Sequence, residues 1–246
     1  MLGAKSNPPD LRERLAAERL VGTFVKLAAD EAMDIVASAG FDFAIVDREH
    51  SQLDEGAALA LVRRAHVLGL PAVVRVPACD AGQVNRLLEA GAAGIQLSDV
   101  RSARQVLDLV KATRYAPAGH RSVSLSHPMA GYGAVPLREA VAVAPPLLVG
   151  QIETVDSLDP LDEIAKAGLD VLFVGVTDLT VDAGFDRDRV AVRMAAVDRV
   201  ARDLGVAMGA FAPDPGAIPE GARYVVVSSD LAILRAAAAK VRSDAG

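Results

Sequence analysis

The chain has 246 residues, is 52% hydrophobic and carries a formal net charge of -6. That length accommodates one large α/β barrel or two smaller domains, and the acidic balance excludes the basic stripe that nucleic-acid binding favours. A single cysteine, Cys79, excludes an intramolecular disulfide and argues against cysteine-ligated zinc. No run reaches the ~18 apolar residues of a membrane span. No apolar signal-peptide core opens the chain. The expectation is a soluble, cytoplasmic protein with no membrane or nucleic-acid partner.

In chain order, residues 1–10 read as a loose lead-in, because Pro8 and Pro9 stop regular structure. Residues 11–246 read as one domain. A helix is expected over 11–19 and a first strand over 21–27. A helix over 31–39, closed by Gly40, leads to a second strand in the segment FDFAIVDREH, residues 41–50. A long helix over 53–68 ends at Gly69, and PAVVRV is strand three. Helix 81–90 ends at Gly91, AGIQL is strand four, and a helix follows over 102–113. The beat then breaks in a Gly-, Pro- and Ser-rich loop over 115–136 with room for a short helix. A helix near 137–143 precedes strand five in PPLLVGQIE. Helix 157–167, strand VLFVG, helix 189–204, strand AMGAFA, a weak helix before Gly221, strand RYVVVS and helix 231–241 complete the chain.

Eight apolar strand-like runs alternate with helices, which is the pattern of a single-domain (β/α)8 TIM barrel. The runs are apolar throughout, as parallel strands buried on both faces require. A doubly wound open sheet is the alternative, but VGTFVKLAAD lacks its Gly-rich phosphate fingerprint.

Active sites of such barrels lie at the C-terminal ends of the strands. Strand two ends in Asp47, Arg48, Glu49 and His50, strand three carries Arg75, strand five ends in Gln151 and Glu153, and Asp178 follows strand six. Glu153 and Asp178 suit a hard divalent cation such as Mg2+, Mn2+ or Co2+; salt bridges at the barrel rim are the other reading. His50 can act as general base with Asp47 orienting it, or it is a structural histidine. Arg75 can clamp a substrate carboxylate or keto oxygen, or pair with Glu49 or Glu153. Gln151 can hydrogen-bond a ligand water. His120, Arg121, Ser122 and His127 of the long loop read as solvated. Asp182, Asp186 and Asp188 read as a solvated loop, because calcium-loop spacing is missing. Lys26 is the only lysine in an expected strand, and nothing flanks it to make it a Schiff-base lysine.

The segments AGFDFAIVDREH, VVRVP, LLEAGAAGI, ATRYAPAGHRS, QIET and GVTDLT, in this order, resemble the HpcH/HpaI family of class II pyruvate aldolases across about residues 20–234. The resemblance implies a (β/α)8 barrel, a homo-oligomer (hexamer or trimer) and a divalent metal. It implies Glu153 and Asp178 as metal ligands, and His50 with Asp47 as an acid–base dyad. Arg75 would steady the pyruvyl oxygens, and backbone amides at Thr177 and Asp178 would hold the carboxylate. Four positions depart from the family pattern: Glu89 for Asp, Ser98 for Pro, Ser122 for Gly and Val176 for Pro. All four lie around the pocket rather than among the ligands or the base.

The sequence therefore leads to a metal-dependent aldolase that interconverts 4-hydroxy-2-oxo acids with pyruvate and an aldehyde. A lyase acting on citramalyl- or malyl-CoA is the first alternative, and His50 counts against it. A non-catalytic metabolite-binding barrel is the second.

Overall fold

A computed structural model describes residues 11–246; the expected lead-in over residues 1–10 lies outside them. The elements run α1 (Leu11–Ala17), β1 (Leu20–Val25), α2 (Asp30–Ser38), β2 (Phe43–Asp47), α3 (Glu55–Leu68), β3 (Ala72–Val76), α4 (Ala81–Ala90), β4 (Gly94–Leu97) and α5 (Ala103–Thr113). They continue with α6 (Leu137–Ala140), β5 (Leu147–Ile152), α7 (Leu161–Lys166), β6 (Val171–Val174), α8 (Val176–Asp182), α9 (Arg187–Leu204), β7 (Ala207–Ala212), β8 (Tyr224–Ser229) and α10 (Asp230–Asp244). Eight parallel strands pair in sequence order and β1 closes on β8, so the sheet is a complete barrel. Among the described residues, no helix is long and apolar enough to cross a membrane.

Local chemistry explains most boundaries. Asp54, Asp80 and Asp186 accept backbone N–H bonds at the starts of α3, α4 and α9, and Ser102 forms a reciprocal capping box with Gln105 at α5. Gly69, Gly91 and Gly205 end three helices in the left-handed conformation.

Four expectations change. The helix of 157–167 begins only at Leu161, after Pro160. The helix near 137–143 spans only Leu137–Ala140. The weak helix before Gly221 is a 3-10 turn, Pro215–Ala217. The aspartates after strand six are exposed, as expected, but belong to helix ends rather than a loop. Asp182 ends the unforeseen helix α8 and accepts the Val155 N–H at 2.7 Å; Asp186 caps α9, and Asp188 lies in its first turn.

Strand alternation builds two apolar shells. One residue set faces the barrel axis, including Phe24, Phe43, Ile45, Val73, Val149 and Phe173, with Leu11 and Leu15 of α1 packed against it. The other set, including Val46, Val74, Ile95 and Leu172, packs outward against the helices. Each fully buried aliphatic or aromatic side chain contributes about 1.5–3 kcal/mol. Phe43 stacks on Tyr224 with centroids 4.4 Å apart, close to Gly22. A Cβ on Gly22 would lie 2.4 Å from the Phe43 ring, so Gly22→Ala would break this layer.

The same alternation sets the site. Phe43, Ile45 and Asp47 share the inward face of β2, and Val73 and Arg75 that of β3. The register puts Asp47 beside Arg75 and Arg75 beside Gln96. A layer of polar side chains thus lies directly above the apolar barrel core, at the C-terminal ends of the strands.

Candidate active site

Asp47 is fully buried, and Arg75 grips it with Nε at 2.9 Å and Nη2 at 2.6 Å. Lys26, just past β1, places Nζ 3.1 Å from the same carboxylate and 3.2 Å from the His50 carbonyl oxygen. The backbone N–H groups of Glu49 and His50 also donate to Asp47. Burial alone would raise the Asp47 pKa, but these donors outweigh it and bring the pKa to about 2. Arg75 Nη1 lies 3.2 Å from Glu49, and its guanidinium stacks 4.5 Å from the centroid of Phe24.

The second group stands at β5 and β6. Glu153 is buried; its Oε1 accepts the Asp99 N–H at 2.7 Å and its Oε2 accepts a short bond from Gln151. Gln151 is aimed by Gln96, which donates to its Oε1 at 2.7 Å. Burial pushes the Glu153 pKa up, the two donors oppose this, and the neighbouring charges of Glu49 and Asp178 add to the rise. The carboxylate of Asp178, in the first turn of α8, makes no hydrogen bond or ion pair among the described residues. Gly175 permits the approach of β6 to this group. A Cβ there would sit 2.6 Å from Glu153 Oε2 and 2.8 Å from its Cβ.

Between the two groups lies a cavity of about 390 Å³. His50, Arg75, Lys26, Gln151, Thr177 and Asp178 line it, with Phe24 and Phe211 as apolar wall. Asp47 and Glu153 lie behind this lining and brace it. A larger hollow of about 590 Å³ opens at the other end of the barrel. It contains the matched pairs Arg12–Asp170 and Asp198–Arg202 and no histidine.

The fold thus brings every expected site residue to one end of the barrel. One expected contact differs: Asp47 meets His50 only through the His50 backbone N–H, while the imidazole lies 3.7 Å from Glu49. Arg48 does not join the site; its charge acts on Glu55 at the start of α3. Arg121 is not simply solvated: its Nε donates to Asn85 at 2.9 Å, and its guanidinium stacks 4.6 Å from the centroid of Tyr115. Asn85 in turn donates to Glu89, so two of the departures from the family pattern, Glu89 and Ser122, lie on or beside one loop anchor. Lys26, Gln96 and Ser98 were not anticipated as site residues. The one available signal was a lone polar residue within an apolar strand, GIQL, since a buried amide needs a partner.

A parallel barrel with oxygen and imidazole chemistry at its C-terminal rim defines a TIM-barrel enzyme. The sequence pattern of the HpcH/HpaI aldolase/citrate lyase family matches residues 20–218, and the chain belongs to that family. It is a carbon–carbon lyase. A hydroxypyruvate/pyruvate aldolase of Paraburkholderia phytofirmans is 33% identical over 242 residues, covering 92% of each chain. A 5-keto-4-deoxy-D-glucarate aldolase of Citrobacter koseri is 30% identical over 244 residues, covering 95% of each. The solved structure of an HpcH/HpaI aldolase/citrate lyase family protein from Burkholderia cenocepacia superposes with a TM-score of 0.87 at 30% identity, covering 98% of this chain and 100% of that one.

Proposed function

We propose that the protein is a divalent-metal-dependent aldolase of the pyruvate class, cleaving and forming 4-hydroxy-2-oxo acids. The observation that carries this reading is the convergence of His50, Arg75, Gln151 and Asp178 on one cavity, with Glu153 behind it. Class II aldolases of this family generally depend on a divalent metal. The donor set fits one, because two neighbouring carboxylates and no sulfur suit Mg2+, Mn2+ or Co2+. Among the described residues, no three His, Cys, Asp or Glu side chains form a metal shell. Glu153 and Asp178 would be the protein's ligands, with water and the 2-oxo acid as the others. A divalent ion there supplies Lewis-acid stabilisation of negative charge at the keto oxygen.

The chain's own groups do the rest. The first-turn N–H groups of Thr177 and Asp178 have no partner within α8, both residues line the cavity, and these groups would hold the substrate carboxylate. Arg75 commits three of its five N–H groups to Asp47 and Glu49. The others can donate to the oxygen on which enolate charge develops. His50, half exposed at the cavity wall, takes the proton from the C4 hydroxyl; the C3–C4 bond then breaks to give pyruvate enolate and an aldehyde.

The test separates base from enolate stabilisation. Decarboxylation of oxaloacetate needs enolate stabilisation but no base. His50→Ala should lose aldol cleavage by about 100-fold or more, the scale of a general base, and retain most oxaloacetate decarboxylation. Equal loss of both, with folding intact, would refute His50 as the base. CoA thioesters of citramalate and malate belong in the same substrate panel, and their turnover in place of 4-hydroxy-2-oxo acids would overturn the pyruvate reading.

Assembly enters the proposal through α10. None of its residues is buried, yet Leu231, Ile233, Leu234 and Val241 are exposed along it. An apolar helix in that state fits a homo-oligomer built on packed or exchanged C-terminal helices. Light scattering that gives only a mass near 25.6 kDa would exclude it.

A further inference from the structure

We propose that Gln96, a buried residue of β4 behind the cavity wall, is a positioning residue for the metal site. It fixes the direction of the Gln151 carboxamide and, through it, the aim of Glu153. The proposal rests on the metal-dependent reading above, with Glu153 as a ligand.

Strand alternation places the side chain. Ile95 and Leu97 pack outward against the helices, so Gln96 between them points into the barrel. The register sets it beside Arg75 on β3 and Val149 on β5. Val73 and Val149 belong to the apolar core below, and Gln151 is the next inward residue of β5 after Val149. Gln96 is fully buried and does not line the cavity, whereas Gln151 does. It therefore acts only through its neighbours.

The hydrogen-bond chain has only one sense. An ionised carboxylate can only accept, so Glu153 Oε2 faces Gln151 Nε2. That turns Gln151 Oε1 towards Gln96, whose Nε2 donates to it at 2.7 Å. Among the described residues the Gln151 side chain makes no other hydrogen bond. The two ends of a carboxamide are nearly the same size. Without the Gln96 donor, Gln151 is free to turn over and set its oxygen against the carboxylate. On the other side, the Asp99 N–H holds Glu153 Oε1 at 2.7 Å. Each oxygen of Glu153 then has one protein donor and one lone-pair site left for a cation.

Stability does not account for Gln96. Its Oε1 is buried and has no hydrogen-bond partner among the described residues. A buried acceptor left unpaired costs free energy that an apolar side chain of similar shape would not. An apolar residue here would serve the barrel core better. The amide serves the carboxylate instead.

The experiment measures Mn2+ affinity by titration calorimetry in the wild type, Gln96→Met, Gln151→Met and the double variant. Thermal melting of the metal-free proteins is the folding check. Gln96→Met should weaken Mn2+ binding by about 10-fold, the lower end for lost support around a ligand, with no fall in the metal-free Tm. Gln151→Met should weaken it at least as much. The double variant should bind as Gln151→Met does, because Gln96 acts through Gln151. Wild-type affinity in Gln96→Met, or losses that add in the double variant, would overturn the proposal. Should the methionine variant not fold, Gln96→Asn gives the same readout: its carboxamide is too short to keep the bond to Gln151, and wild-type affinity there overturns the proposal equally. A wild-type protein that binds no Mn2+ overturns the metal-dependent reading itself. Wild-type binding that Gln96 does not influence overturns this proposal alone.

Discussion

At the ends of β2 and β3, Asp47 and Glu49 face Arg75 and Lys26, and charge is matched within the protein. At the ends of β5 and β6, Glu153 lies within the electrostatic reach of Asp178, with only Gln151 and one backbone N–H donating to Glu153. Both groups sit at one rim, a few residues above the same apolar core. The pKa directions follow the partners rather than the burial. Asp47 is the more buried of the two and is lowered to about 2, while Glu153 is raised. A guanidinium and an ammonium overcome desolvation; a carboxamide and a peptide N–H do not. On the first side the Asp47 charge is neutralised within the protein and anchors Arg75. The second carries negative charge that suits a divalent cation.

The largest expected effect follows from that second side. Exhaustive chelation should lower aldol cleavage by about 1000-fold or more, equivalent to the several kcal/mol a Lewis acid supplies. Readdition of Mg2+, Mn2+ or Co2+ should restore it. Full activity in excess chelator would mean that Glu153 and Asp178 serve another purpose, and the contrast between the two sides would lose its functional meaning.

A smaller effect comes from Gly175→Ala. The new Cβ would press on Glu153 and on Gln151 Nε2, 3.1 Å away, without touching Asp47 or Arg75. Metal affinity by titration calorimetry should fall by about 10- to 100-fold, the range for disturbed support around a ligand. Unchanged affinity would show that the Gln96–Gln151–Glu153 chain does not aim the carboxylate.

The smallest effect tests the first side through acid stability. The Asp47 pKa falls from 3.8 to about 2 on folding, so the folded state binds this proton more weakly than the unfolded one. Its contribution, roughly 2 kcal/mol, is fully present above pH 3.8 and is lost as pH falls through about 2. Urea unfolding between pH 4 and pH 2 should therefore depend less steeply on pH in Asp47→Asn than in the wild type. Parallel slopes would show that Asp47 is not the matched charge described here. Asp47→Ala, which leaves Arg75 only its contact with Glu49, should cost up to about 3 kcal/mol at neutral pH.

The barrel was legible in the sequence because its signals are local and repeated. Apolar runs such as VVRV and LLVGQI alternate with helices that end at Gly69, Gly91 and Gly205, and each signal needs only neighbouring residues to act. Helix α8 escaped notice because Val176–Asp182 is short and follows a strand with no cap residue to mark it. The convergence of the candidate residues at one rim was legible for a similar reason: polar residues such as Asp47 and Glu153 stand at the ends of apolar parallel strands.

What the sequence by itself determined, then, is the strand–helix alternation, the barrel and the end of it that carries Asp47, His50, Arg75, Glu153 and Asp178. Only the tertiary structure decided which side chain faces which. Asp47 and Glu49 lie two residues apart in DREH, and their spacing does not tell which partners each will meet. The contacts are set by Arg75 and Lys26, which arrive from β3 and β1 and occupy Asp47, and by Ser98, which arrives from β4 and binds Glu49. Those partners lie 21 to 49 positions away in the chain, and hydrogen-bond geometry acts through space.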